Sequence, residues 1–104
     1  MPDILLSPAT ERRLDALFVG PDRHTAATLV VTQCGANLPL WVGVDPKGLE
    51  RIRFAVLKLS DGDLVTLREA VRIAQIDWRD VLVAAGFGHD PRAHENWLPE
   101  RRSL

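Results

Sequence analysis

Residues able to do chemistry are sparse in this chain, and the densest group of them lies near its end, in GHDPRAHEN at residues 88–96. His89, Asp90, His94 and Glu95 all carry atoms that bind transition metals. Their spacing is wrong for a shared ion. Neighbours such as His94 and Glu95 would point about 100° apart on a helix, whereas ligands on one face stand three or four residues apart. His89 reaches His94 only through a loop, and no Cys or second His cluster completes a set. No metal and no other cofactor is expected. Asp90 reads as a helix cap and the histidines as surface residues.

Cys34 as a nucleophile would need a thiolate held by a nearby cation and a base within reach. The sequence places neither beside it. Cys34 falls on an apolar stripe with Ala27 and Val30, just before Gly35 at a position suited to a helix C-terminus, so a buried structural thiol is expected. The carboxylates Asp61, Asp63, Asp77 and Asp80 each sit at an expected helix start, where capping and the helix dipole explain Asp without catalysis. There is no P-loop, G-x-G-x-x-G, H-E-x-x-H, G-x-S-x-G or paired C-x-x-C, and DGDL falls far short of a calcium-binding loop. No catalytic residue can be assigned, which leans against an enzyme.

The guanidinium groups are the remaining candidates. Arg68, Arg72 and Arg79 make a basic stripe over a segment that breaks near Ile76 and Asp77, and two short helices meeting there could form a helix-turn-helix. The acidic residues oppose that reading, since Asp77 and Asp80 would stand where a recognition helix meets phosphates and base edges. A second stripe, Lys47, Arg51 and Lys58, runs along the preceding helix. Such stripes are expected to be solvated faces, and a net charge of -1 supplies no general attraction to nucleic acid or anionic lipid.

The elements that would position these groups are helices. From residue 48 to 87 the apolar residues keep a three-four rhythm, first through Leu49, Ile52, Val56 and Leu59, then through Leu64, Leu67, Val71, Ala74, Trp78, Val81 and Ala85. Between the runs, Ser60-Asp61-Gly62-Asp63 supplies a residue tolerant of positive φ and then a cap, the signature of a tight helical hairpin. Ser7-Pro8, Asp45-Pro46 and Asp90-Pro91 each pair a capping residue with a proline suited to the first helical position. On the first helix Leu14, Leu17 and Phe18 share a face, with Glu11, Arg12, Arg13 and Asp15 on the polar side. Gly20-Pro21 ends that helix and can start the next. Residues 22–34 read as a helix although Thr28 to Thr32 is rich in β-branched types, because one strand would have no partner. Residues 37–45 form a connection whose Leu38, Leu40 and Trp41 cover the core. Residues 91–97 form two helical turns that fold Trp97 back on the body.

The expected architecture is therefore all-α: one domain spanning 1–104, with four to six helices around a central hairpin of 46–60 and 63–75. Residues 77–85 pack behind it and 98–104 fray. At 104 residues such a chain needs neither disulfide nor metal to fold, and its single Cys and lack of a long apolar run point to a cytoplasmic protein outside the membrane.

The segment QIDWRDVLVAAGF at 75–87 resembles a family of short bacterial proteins, a likeness that covers about the last half of the chain and brings no activity, site or partner with it.

The functional expectation comes instead from surplus apolar surface. If Leu64, Leu67, Val71 and Ala74 face the preceding helix, then Val65, Ile73, Ile76 and Val83 remain to be covered, and Trp78 and Trp97 are hard to bury completely in so short a chain. These six form the expected interface of a non-enzymatic interaction module, binding a second copy as a homodimer or another protein. Nucleic-acid binding through Arg68, Arg72 and Arg79 is the alternative. A competing account has Leu14, Leu17, Phe18 and Val30 cover the same surface within one chain.

Overall fold

The computed structural model describes residues 5–35, 38, 46–90 and 92–99. Among these the fold is all-α, with five helices in chain order: α1 (Pro8–Leu17), α2 (Gly20–Gln33), α3 (Pro46–Ser60), α4 (Leu64–Ile76) and α5 (Trp78–Ala84). The helix starts follow from local chemistry. Ser7 Oγ accepts from the Thr10 amide ahead of Pro8, Asp63 accepts from the Thr66 amide at 2.9 Å, and Asp77 accepts from the Arg79 amide at 3.0 Å. Each side chain satisfies a backbone donor that a helix start leaves without an internal partner. Asp77 also closes α4, so the break between α4 and α5 falls at that residue. The Asp45 cap expected before α3 lies outside the described residues.

The α3–α4 hairpin turns through two left-handed residues, Asp61 at φ 49° and Gly62 at φ 78°. Helix α5 ends in a Schellman motif: Gly86 is left-handed, its amide bonds to the Val83 carbonyl, and the Phe87 amide bonds to the Leu82 carbonyl at 2.8 Å. Leu82 and Phe87 are both buried, the apolar contact that accompanies this motif. Gly35 stands at the expected C′ position, but without the left-handed conformation of that cap. The C-cap Cys34 has φ -120° and Gly35 is not left-handed; it is buried, with the Arg53 guanidinium 3.7 Å from where a Cβ would stand.

Residues 28–32 are helical. The hydroxyls of Thr25, Thr28 and Thr32 donate back to the carbonyls of Pro21, His24 and Thr28. Bonding of this kind keeps threonine compatible with a helix despite its strand preference.

Helix α3 is the centre of the fold. It packs against α1, α4 and α5, while α2 packs on α1 and α4. Leu14, Leu17, Phe18 and Val30 of the first two helices are all buried, as are Ile52, Phe54, Val56, Leu67, Val71, Ala74 and Val81 from the central seams. Phe54 lies off the stripe of α3 and is nevertheless core, because α1 covers that second face. Arg13, expected on the polar side of α1, is buried as well. Its guanidinium lies 4.0 Å from the centre of the Phe54 ring and donates to the Ala9 and Trp97 carbonyls.

Residues 92–97 do not form the expected helical turns. They make a series of four-residue turns, with the Ala93, Glu95 and Trp97 amides bonded to the Asp90, Arg92 and His94 carbonyls. Trp97 does fold back, half-buried against the core.

Candidate functional site

The six residues expected at an interface divide into two groups. Val65, Ile76 and Val83 stand exposed at 75%, 66% and 72% of their surface. Ile73, Trp78 and Trp97 are half-buried and packed on the core, which removes much of the surface attributed to them. Helix α2 packs along α4 and α1 along α3, so the first two helices supply part of the cover that the competing account assigned to them. What remains is an outer surface of α4 and α5 anchored by three branched side chains.

That surface is not continuous grease. Val65, Glu69, Arg72 and Ile76 follow one another at steps of four, three and four along one face of α4. Val65 and Ile76 are thus about 16 Å apart along the axis. Between them Arg72 is paired with Glu69, with nitrogen and oxygen 2.5 Å apart. The guanidinium holds the Glu69 carboxyl below its usual pKa, chiefly through the hydrogen bond itself.

The basic stripe is engaged locally. Arg72 holds Glu69, and Arg79 holds the Asp77 carboxylate at 2.9 Å, so both guanidiniums are matched by carboxylates within three residues. Arg68 is exposed. On α3 the stripe also makes contacts within the chain: Lys58, exposed, donates through Nζ to the Ala85 carbonyl at 2.8 Å and lies 4.9 Å from the Phe87 ring centre, and the half-buried Arg51 donates to the Phe87 carbonyl. These cations satisfy carbonyls left open where α5 ends. The side chain of Lys47 lies outside the described residues.

Cys34 is fully buried, and burial pushes its thiol up to about 12 against a small opposing pull from Arg53. A thiol so protonated is no nucleophile at neutral pH. Arg53 is buried beside it and donates to the Cys34 and Leu5 carbonyls at 2.8 and 3.0 Å. Among the described residues no group of three or more His, Cys, Asp or Glu side chains could hold a metal ion. No helix among them is long and apolar enough to cross a membrane.

One side chain departs sharply from its expected surface position. His94 is 2% exposed, with its ring edge-on to Phe54 at 5.3 Å and to Phe87 at 6.2 Å between centroids. Its Nδ1 finds no hydrogen-bond partner among the described residues. Periodicity could not have found it, because residues 92–97 follow neither helical nor strand spacing. The only signal was the nearby Trp97, which had to return to the core and carries His94 with it. No protein-family model, curated protein or solved structure matches this chain.

Proposed function

We propose that this protein is a non-enzymatic interaction module that self-associates, or binds a protein partner, through the outer surface of α4 and α5. The observation that carries the reading is the exposure of Val65, Ile76 and Val83 on two successive helices whose inner faces are fully used. Burying branched side chains of this size is worth about 1.5–3 kcal/mol each. The Glu69–Arg72 pair between two of them lowers the return, so the association is a modest one that needs high protein concentration. On this reading the chain acts in the cytoplasm.

Light scattering over a concentration series tests it. The expected result is a mass rising towards that of a dimer in the high micromolar range, and a return to monomer in Ile76→Asp and Val83→Asp, which place a carboxylate in the contact. A monomer mass throughout removes self-association and leaves only a different protein as occupant. Nucleic-acid binding through Arg68, Arg72 and Arg79 has weaker support, because two of the three already hold carboxylates. Its signature would be binding to labelled duplex DNA that weakens steeply with added salt.

A further inference from the structure

We propose that residues 92–99 form a latch that protonation of His94 releases, uncovering the rings of Phe54 and Phe87. The segment is held by three kinds of contact. Arg13 of α1 grips the Trp97 carbonyl through Nε at 3.1 Å and Nη2 at 2.8 Å. Trp97 leans on Phe54 and Phe87, with centroids 6.1 and 6.4 Å apart. His94 is inserted between the same two rings. The segment's own backbone bonds close isolated four-residue turns, so nothing in it matches the cooperativity of the five helices, and it is the part expected to open first.

A neutral imidazole suits this position and a charged one does not. In the imidazolium both ring nitrogens carry hydrogen, so Nδ1 is then a buried charged donor with no acceptor among the described residues. The surrounding charges do not compensate. Glu95 of its own segment and Glu50 of α3 favour the charged form, whereas Arg51 of α3 and Arg13 of α1 oppose it. The Glu50 carboxylate also accepts a hydrogen bond from Ser7. Lys58 of α3 adds positive charge over the far ring, and His89 and Asp90, on the turn leading into the segment, are exposed to water. With carboxylates and cations opposed, burial decides, and it lowers the His94 pKa from its ordinary value of 6.5. The sign follows. Above that ordinary value both latched and open forms are neutral and the latch is at full strength; as pH falls below it, the open form takes up the proton first and gains population. Each unit by which the latched pKa is lowered raises the open fraction tenfold once pH is below both values.

The test is an NMR titration of the full-length chain between about pH 7.5 and pH 5, a window in which histidine titrates and most carboxylates do not. The expected result is that the amides of residues 92–98 and the Trp97 indole lose their native shifts with a midpoint below 6.5, while helical circular dichroism is retained. His94→Phe keeps a ring between Phe54 and Phe87 but has no proton to gain, and its latch should stay closed across the range. A His94 ring that titrates at or above 6.5 in the unaltered protein overturns the proposal, with no variant required. So does release of the latch in His94→Phe at the same pH as in the unaltered protein.

Discussion

Helices α3 and α4 carry similar apolar stripes, yet their opposite faces meet different fates. Residues 52–57 of α3 are all buried, including Arg53, because α1 closes one side of the helix and α4 and α5 the other. On α4 the second face ends in the exposed Val65 and Ile76, with an ion pair between them. Five helices supply enough surface to enclose one of them, and the enclosed helix is the one in the middle. A second apolar face on a helix therefore says that a cover is needed, without saying whether the chain itself provides it.

The sharpest way to break this contrast is to empty the enclosed side. Phe54→Ala should cost about 3–5 kcal/mol in urea unfolding, since the ring is fully used by α1 and the C-terminal segment and a cavity would remain. A much smaller loss would mean that α3 is less enclosed than its burial indicates.

Alkaline pH probes the same interior at the α2–α3 junction. Below about pH 9 Cys34 is protonated in folded and unfolded chains alike; above it the unfolded chain loses the proton, while the folded chain holds it to about 12. Stability should therefore fall as pH rises through that window, by at most about 1.4 kcal/mol per pH unit from this group. Cys34→Ala should remove that part of the slope in paired unfolding curves.

A smaller effect is expected at the hairpin joining the two helices. Asp63→Ala removes the acceptor of the Thr66 amide and should cost about 1 kcal/mol, read as a lowered denaturation midpoint with an unchanged m-value.

The smallest effect belongs to the outer surface. Val83→Asp should change the stability of the isolated monomer by no more than about 0.5 kcal/mol, while abolishing any self-association seen by light scattering. A cost approaching that of Phe54→Ala would show that Val83 is covered in solution and that the two regions are alike.

The amino-acid sequence alone determined the helices and most of their ends. Ser7, Asp63 and Asp77 are caps that act within three residues, and the three-four rhythm of Leu67, Val71, Ala74 and Val81 needs only the geometry of one helix. Tertiary structure alone decided which second faces are covered and where the cations point. Arg13 looks like a surface residue in a polar run and Arg53 stands between Ile52 and Phe54; both are buried where carbonyls from Trp97, Cys34 and Leu5, remote in sequence, converge on them. Lys58 and Arg51 finish the end of a helix roughly thirty residues away. His94 is the extreme case, in a segment without periodicity, buried because the residues on either side of it carry it between two rings. Local propensity is written in neighbouring residues, whereas desolvation of a charge or an imidazole depends on atoms that only the folded chain brings together.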